Sequence, residues 1–276
     1  MKNWSNKKVK LILSGEGGQG IQTIAKALVA MAVGQGLKVS YLPSFGVEQR
    51  GTPSIAYVII SGSDINYPRF EEADIVMALA NRAVPKVNHF ITPNTDVLFD
   101  SSVIKPNTFT RMAVHKLGIP ATALSHEKFN PRSYNVLMYG VLVNMLKLDS
   151  SQSWKAIKNQ LKDKFKTKKI EDDNKNAYEF GYEAVLEKKR FSSPTFETKS
   201  TINYYKSKDK KGTINPSLCK GCGLCIEKCP TGALSFGTDL GVFGTPVPVV
   251  DLNKCIGCGL CHQICPDGAI FIEKNK

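Results

Sequence analysis

The residues with the clearest chemistry are eight cysteines, and all of them lie at or beyond position 219 of the 276-residue chain. They form two runs with identical spacing, each followed by a proline. The first run is Cys219, Cys222, Cys225, Cys229 and Pro230, and the second is Cys255, Cys258, Cys261, Cys265 and Pro266. Cysteine thiolates at such short intervals are soft ligands, so the pattern predicts metal chemistry.

The spacing of each run, C-x2-C-x2-C-x3-C-P, is the one by which bacterial ferredoxins bind [4Fe–4S] clusters. In that arrangement three thiolates of one run share a cluster with the fourth thiolate of the other run. The predicted sets are Cys219, Cys222, Cys225 and Cys265 for one cluster, and Cys255, Cys258, Cys261 and Cys229 for the other. Small residues inside the runs leave room for the clusters: Gly221, Gly223, Gly257 and Gly259. The proline after each run fixes φ, so the chain turns away there.

Two other uses of the cysteines fit less well. A disulfide framework suits small secreted domains, but no apolar signal core follows the lysine-rich first ten residues. Structural zinc usually takes two spaced C-x-x-C pairs, whereas each run here has a third cysteine in register. No apolar run approaches the roughly 20 residues that span a bilayer. With oxygen-sensitive clusters and no cysteine left for a disulfide, we expect a cytoplasmic protein without a membrane span.

The formal net charge of +13 raises the question of nucleic-acid binding. The excess lies outside the cysteine-rich part, because residues 213–276 carry five basic and five acidic side chains. The densest basic run, residues 162–169, contains one aromatic residue, Phe165, and matches no nucleic-acid motif. We expect no nucleic-acid partner, since a solvated helix face or a surface for acidic partner subunits explains the charge better.

A glycine-rich loop follows the first apolar segment of the chain. Its candidate cofactor-binding residues are Gly15, Gly17, Gly18, Gln19 and Gly20. The loop satisfies G-x-G-x-x-G, which can place amides and a helix N-terminus around an anion. A dinucleotide site also needs an acid about 20 residues further on, and the sequence has Ser40, Tyr41 and Leu42 there. An anion site of another kind and a purely structural tight turn both remain open.

A second loop, from Pro43 to Pro53, contains more chemical groups than a connection needs. Its Glu48 and Arg50 are candidate ligand-binding or interface residues. They are also close enough in sequence simply to pair with each other.

Strands and helices alternate through the first 190 residues. The predicted strands are Val9 to Ser14, Lys38 to Leu42, Ser54 to Ile60, Asp74 to Leu79, Asp96 to Phe99 and a late one at Ile119 to Ala123. The predicted helices begin with Ile21 to Ala32 and continue with Asn81 to Val87, Tyr134 to Leu148, Trp154 to Phe165 and Asn174 to Leu186. This alternation predicts an α/β domain with a mainly parallel sheet and flanking helices.

The composition changes after this domain. Residues 191–211 are rich in Ser, Thr, Lys and Asn without a long apolar period, which predicts a linker. We therefore expect an α/β domain at 1–190, a linker at 191–211 and an α+β bacterial-type 2[4Fe–4S] ferredoxin domain at 212–276. Between the cysteine runs, glycines and prolines within 231–254 indicate turns or a short hairpin.

Four further stretches stand in order along the chain: SGEGGQGIQTIAKAL (Ser14 to Leu28), SFGVEQRGTPSIAYV (Ser44 to Val58), NVLMYGVLVNML (Asn135 to Leu146) and AYEFGYE (Ala177 to Glu183). Together with both cysteine runs they resemble the 2-oxoacid:ferredoxin oxidoreductase family of the pyruvate:ferredoxin oxidoreductase type. The resemblance is to its gamma subunit fused to its ferredoxin-like delta subunit. One departure is that Gly51, Thr52 and Pro53 stand where many gamma subunits have two glycines after the arginine, which leaves the substrate open.

The resemblance implies an oxygen-sensitive complex that oxidatively decarboxylates a 2-oxoacid, such as pyruvate, typically to an acyl-CoA. Electrons then pass to ferredoxin or flavodoxin. It also implies that thiamine diphosphate is bound by alpha and beta partner subunits, and this sequence has no Gly-Asp-Gly…Asn thiamine motif. We therefore expect no catalytic residue in this chain, which would relay electrons while its glycine loop contributes to a CoA-facing surface. The alternatives are an iron-sulfur carrier or assembly subunit of another redox complex, and a flavin- or NAD-linked reductase.

Three lysines, Lys220, Lys228 and Lys254, lie beside the cysteine runs. A cation there can raise a cluster's potential or guide an acidic ferredoxin, or it can simply be solvated.

Overall fold

The computed structural model describes residues 8–46, 52–113, 115–165, 167–186, 201–242 and 245–274. The chain divides into two compact units, with the boundary between Thr195 and Phe196. No helix in these ranges is long and apolar enough to cross a bilayer.

The first unit is built on a six-stranded sheet. Its strands are β1 (Lys8–Glu16), β2 (Lys38–Phe45), β3 (Pro53–Ser61), β4 (Ile75–Ala78), β5 (Asp96–Asp100) and β6 (His115–Ile119). They lie in the order β2-β3-β1-β4-β5-β6. The pairings β1–β4, β4–β5 and β5–β6 are parallel, whereas β3 is antiparallel to both β1 and β2. Three of the five pairings are therefore parallel, which confirms the predicted sheet type.

The central strands are apolar on both faces because the sheet is covered on both sides. Successive side chains of a strand point to opposite faces. In β1, Leu11 and Leu13 enter the larger core, while Ile12 enters a second core with Val76 and Val97.

The described part of this unit contains six α-helices. They are α1 (Ile21–Gly34), α2 (Val84–Val87), α3 (Ala121–Lys128), α4 (Tyr134–Leu146), α5 (Ser150–Leu161) and α6 (Lys168–Leu186). The predicted helices are all present with shifted ends. For example, α5 begins before Trp154 because the side chain of Asp149 accepts a hydrogen bond from the Gln152 amide and caps the helix. The predicted late strand at Ile119 to Ala123 is wrong beyond Ile119, since α3 begins at Ala121.

The start of α3 is fixed by a buried acid at the end of β5. Asp100 is fully buried, and its Oδ2 accepts hydrogen bonds from the amide and hydroxyl of Thr122 at 3.0 and 2.6 Å. Its Oδ1 accepts from the Ser102 amide at 3.0 Å, and the Ser102 hydroxyl accepts from the Ala123 amide at 3.1 Å. Burial raises the pKa of Asp100 above its ordinary value of 3.8, although the bonds from Thr122 and Ser102 oppose the shift.

We expect Asp100→Asn to destabilise this unit, because the new amide group faces donors and leaves at least one of them unpaired. The cost should be about 1–3 kcal/mol. This difference in the free energy of unfolding should shrink as pH rises. The wild type loses stability as pH rises from the ordinary pKa of an aspartate to the raised pKa of Asp100, whereas the variant has no group that titrates there. Urea unfolding of both proteins across the weakly acidic range measures this difference. A cost that grows with pH would contradict the assignment.

The second unit is built from two small antiparallel sheets. One has the order β11-β8-β7, with β7 (Asn203–Lys206), β8 (Lys210–Ile214) and β11 (Ile270–Lys274). The other is a pair, β9 (Leu234–Leu240) and β10 (Pro246–Val250), which confirms the predicted hairpin between the cysteine runs. Two short helices complete the unit, α7 (Leu224–Glu227) and α8 (Leu260–Gln263).

The predicted linker at 191–211 does not extend that far. Strand β7 and the first residues of β8 lie inside it, joined by a turn in which the Ser207 amide donates to the Lys210 carbonyl at 2.8 Å. Strand β7 lies at the edge of its sheet and is half-buried on alternate residues only. Its polar composition follows from that position, and the apolar period that would signal a strand is missing for the same reason.

Candidate metal centre

The two cysteine runs fold in the same way. Gly221 and Gly257 have φ of 64° and 66°, and Gly223 and Gly259 have φ of 77° and 73°. This left-handed backbone is open to glycine and strained for other residues. The glycines let each run curl so that its thiols converge. This is a second role, in addition to the space that small residues leave for a cluster.

Backbone amides point at the cysteine sulfurs in both runs. The bonds are Gly221 N to Cys219 Sγ at 3.4 Å, Ala233 N to Cys229 Sγ at 3.3 Å, Gly257 N to Cys255 Sγ at 3.4 Å and Ala269 N to Cys265 Sγ at 3.3 Å. Donors aimed at sulfur stabilise negative charge on it, and in iron-sulfur proteins they tune the reduction potential.

Two cavities bring the cysteines of the two runs together. Each measures about 350 Å³, counting the space open to solvent. The first is lined by Cys219, Cys222, Cys225 and Cys265, and the second by Cys255, Cys258, Cys261 and Cys229. This grouping supports the predicted ligand sets. Within the described ranges no group of three His, Cys, Asp or Glu side chains has the geometry to hold a single metal ion.

Burial controls the protonation of the thiols, and a metal must displace their protons in order to bind. Burial raises the pKa of Cys219 to about 11, of Cys225 to about 12 and of Cys261 to about 11. At Cys229 burial also acts to raise the pKa, but hydrogen bonds from the amides of Thr231, Ala233 and Leu234 and from the Thr231 hydroxyl lower it overall. Buried thiols stay neutral unless a cation compensates the thiolate, so metal binding at these sites releases protons.

The glycine loop of the first unit is held by hydrogen bonds of Gln19 and by bonds to the segments around it. Gln19 accepts a hydrogen bond from the Glu16 amide at 2.8 Å through Oε1, and its Nε2 donates to the Leu79 carbonyl at 3.3 Å. Asn135 on α4 donates to the Gln19 carbonyl at 3.0 Å. The Gly17 amide donates to the Thr52 carbonyl at 2.8 Å. The loop therefore joins the ends of β1, β3 and β4 to α4.

Two glycines of the loop are required by close contacts. A Cβ at Gly15 would lie 2.7 Å from Gln19 Oε1 and 2.9 Å from the Ile21 side chain. Gly20 has φ of 81°, and a Cβ there would overlap the amide of Asn135. The motif thus has a structural role, and whether it also faces an anion stays a prediction.

The topology around the loop argues against a dinucleotide site. In a dinucleotide-binding fold the glycine loop begins a βαβ unit whose two strands are adjacent and parallel. Here β3 lies between β1 and β2. Tyr41, near the position where an acid is needed, donates instead to Gln22 Oε1 at 2.6 Å. Glu16, which is 3% exposed, places an acidic side chain in the loop with Arg82 at 3.8 Å.

The remaining candidates separate clearly. Glu48 and Arg50 lie outside the described residues. Lys228 and Lys254 are mostly exposed, with acidic neighbours at 4.0 and 3.6 Å. Lys220 is different, because its ammonium lies 2.8 Å from Asp267 and both side chains are largely covered.

Sequence reasoning missed Asp267, and it also missed Thr245, whose hydroxyl donates to the Lys220 carbonyl at 2.7 Å. Aligning the two cysteine runs as a repeat would have drawn attention to Asp267, because the corresponding residue of the first run is Thr231.

Comparison with known families decides the identity of both units. Residues 10–184 match the family described as pyruvate ferredoxin/flavodoxin oxidoreductase, and residues 218–269 match a 4Fe-4S dicluster domain. The chain belongs to the pyruvate ferredoxin/flavodoxin oxidoreductase family. The resemblance drawn from the sequence motifs is confirmed, and the cofactors of the dicluster domain are two [4Fe–4S] clusters.

Individual relatives match about two thirds of the chain. The ketoisovalerate oxidoreductase subunit VorA of Methanothermobacter thermautotrophicus is 29% identical over 182 residues, which cover 65% of this chain and 37% of VorA. The 2-oxoglutarate synthase subunit KorC of Methanocaldococcus jannaschii is 30% identical over 178 residues, covering 63% of this chain and 92% of KorC. The chain thus spans little more than a third of VorA but nearly all of KorC.

A solved structure agrees in fold. It is the gamma subunit of a keto/oxoacid ferredoxin oxidoreductase from Geobacter sulfurreducens, with a TM-score of 0.52 and 21% identity. The match covers 66% of this chain and 98% of that subunit.

Proposed function

We propose that the chain is the gamma/delta electron-transfer subunit of a thiamine-diphosphate-dependent 2-oxoacid:ferredoxin oxidoreductase. The reaction is oxidative decarboxylation of a 2-oxoacid such as pyruvate, typically to an acyl-CoA. The observation that carries the proposal is the pair of four-cysteine cavities, because the other unit of the same chain matches the pyruvate ferredoxin/flavodoxin oxidoreductase family. VorA and KorC are named for different 2-oxoacids, which supports the reaction class and leaves the substrate open.

The cysteines of the two cavities would hold the clusters, with Cys219, Cys222, Cys225 and Cys265 at one and Cys255, Cys258, Cys261 and Cys229 at the other. When bound, the clusters supply one-electron transfer at low potential. The chain's residues provide the surroundings: apolar side chains such as Leu224 and Ile270 in the first cavity and Leu234 and Ile272 in the second exclude water. The amides aimed at sulfur stabilise the negative charge of the thiolates.

We assign the decarboxylation itself to partner subunits. Thiamine diphosphate and CoA would be held mainly there, by alpha and beta subunits, and ferredoxin or flavodoxin would accept the electrons. Oxygen-sensitive clusters and the use of all eight cysteines as ligands support a cytoplasmic location. The Gly15–Gly20 loop remains our candidate for a CoA-facing surface, although the acidic Glu16 makes it a poor cradle for a bare phosphate.

Anaerobic purification of the native complex through a tag on this chain tests the proposal. We expect two further subunits with bound thiamine diphosphate. We also expect CoA-dependent reduction of ferredoxin with one member of a panel of pyruvate, 2-oxoglutarate and 2-ketoisovalerate.

The complex with Cys265→Ala is the control. It should keep exchange between CO2 and the 2-oxoacid carboxylate, which takes place on the partners, and lose most ferredoxin reduction. A native complex without thiamine-binding subunits would instead favour a carrier or assembly subunit of another redox enzyme.

A further inference from the structure

The cysteine runs form an internal repeat with nearly identical geometry. Their paired glycines differ by 2° and 4° in φ, and the matching amide-to-sulfur bonds have equal lengths. A repeat of this regularity would give two equivalent cluster sites. Any difference between them must come from the side chains that break the repeat.

Two corresponding positions beside the cavities differ in charge. At the first cavity Lys220 and Asp267 form an ion pair of 2.8 Å, with side chains that are 26% and 19% exposed. At the second cavity the corresponding residues are Ile256 and Thr231, and both line it. Ile256 is 50% exposed, and Cys258 in the same cavity is exposed as well. The first site is therefore flanked by a largely covered ion pair, whereas the second has an exposed isoleucine and an exposed cysteine.

The ion pair joins the same two segments that the crossed ligand joins. Lys220 directly follows Cys219, the first cysteine of its run, while Asp267 lies two residues after Cys265 in the other run. Lys220 is also held from its backbone, because the Thr245 hydroxyl donates to its carbonyl at 2.7 Å. The pair thus connects the two segments that must stay together for Cys265 to reach the first cavity.

We propose that Lys220 and Asp267 are positioning residues that hold Cys265 at the first cluster and make that cluster the more protected of the two. The second cluster lies beside the more exposed residues, Ile256 and Cys258, and loses its iron before the first cluster does. This inference rests on the crossed ligation of the proposed function. The two side chains should also have opposite effects on the reduction potential of the first cluster, since a nearby cation stabilises an added electron and a nearby anion destabilises it.

Chelator-driven iron loss from the reconstituted full-length chain tests the proposed role of the Lys220–Asp267 ion pair. Thiols released over time are alkylated and identified by mass spectrometry. In the wild type, Cys229, Cys255, Cys258 and Cys261 should be modified first. In Lys220→Met/Asp267→Asn, the cysteines of the first set should be released roughly tenfold faster, a factor that corresponds to about 1.4 kcal/mol. Release from the second set should be unchanged.

Lys254→Met is the matched control, because that lysine also lies beside a run but is exposed. It should leave both release rates unchanged. The variant Ile256→Lys/Thr231→Asp places a corresponding ion pair at the second cavity. It should slow the release of the thiols of the second set. Unchanged release from the first set in Lys220→Met/Asp267→Asn, or equal acceleration of both sets, would overturn the inference. Release of Cys265 together with the second run would instead refute the crossed ligation.

Redox titration followed by electron paramagnetic resonance shows whether the two charges act on the first cluster or whether the pair only supports the structure. Lys220→Met leaves Asp267 uncompensated and should lower the midpoint potential of the first cluster. Asp267→Asn leaves Lys220 uncompensated and should raise it. Shifts in the same direction in both variants would show that the pair acts only on structure.

Discussion

Replacing Cys265 with alanine will remove the cluster held by the first cysteine run and leave the second cluster in place. Cys265 belongs to the second run in sequence but lines the cavity of Cys219, Cys222 and Cys225. Loss of one thiolate deprives that cluster of a ligand, whereas the second cavity keeps all four of its cysteines. Bound iron should fall from about eight to about four atoms per chain. Iron and sulfide analysis of the anaerobically reconstituted protein measures the change.

The mirror variant, Cys229→Ala, controls for nonspecific damage. Cys229 lies in the first run but lines the second cavity, so its loss should spare Cys219, Cys222 and Cys225. Alkylation of unliganded thiols shows which set is free in each variant. If Cys265→Ala instead exposes Cys255, Cys258 and Cys261, each run binds its own cluster and the crossed assignment is wrong.

The presence of two iron-sulfur clusters could be predicted from the sequence because most of their determinants are local. Three thiols of each set lie within seven consecutive residues, and the following proline marks the point where the chain leaves the run. The Lys220 and Asp267 pair could not be predicted in the same way. Its members lie in different runs, and only the fold of the second unit brings them within 2.8 Å.

The fold, too, could be predicted where its determinants are local and not where they are distant in sequence. Buried strands such as β1 and β4 are short apolar runs, and they were identified. Strand β3 was identified as well, but its place between β1 and β2 depends on long-range pairing that no local pattern encodes. The start of α3 was missed because its capping groups, on Asp100 and Ser102, belong to a distant segment.

Two of the stretches that carried the family resemblance meet at a helix crossing. For Asn135 to Leu146 and Ala177 to Glu183 the sequence predicts helices, the first of them apolar, and nothing about how they pack. The structure shows that Gly140 on α4 faces the Tyr178 carbonyl, and Gly181 on α6 faces the Leu137 carbonyl. Asn144 strengthens the contact by donating to the Tyr182 carbonyl at 2.8 Å. The glycines let the two backbones approach directly.

Gly181→Ala should therefore destabilise the first unit strongly. A Cβ at this position would overlap the Leu137 carbonyl oxygen, which is rigid backbone, so α4 and α6 must move apart. Overpacking of this kind costs about 1–3 kcal/mol and sometimes more. We expect the upper part of that range, even though alanine favours a helix over glycine by about 1 kcal/mol. Gly140→Ala should behave similarly, and the double variant should cost less than the sum because both disrupt one contact.

Gly34→Ala provides the matched control, because Gly34 ends α1 and a Cβ there meets nothing within 4 Å. It should leave stability unchanged or raise it by up to about 1 kcal/mol. Trp154 reports on the crossing, since its ring lies 5.6 Å from that of Tyr178 on α6. Urea unfolding followed by Trp154 fluorescence, in a Trp4→Phe background, measures all four variants. Equal stability of Gly181→Ala and Gly34→Ala would show that the crossing accommodates a side chain and that the glycines are not required for packing.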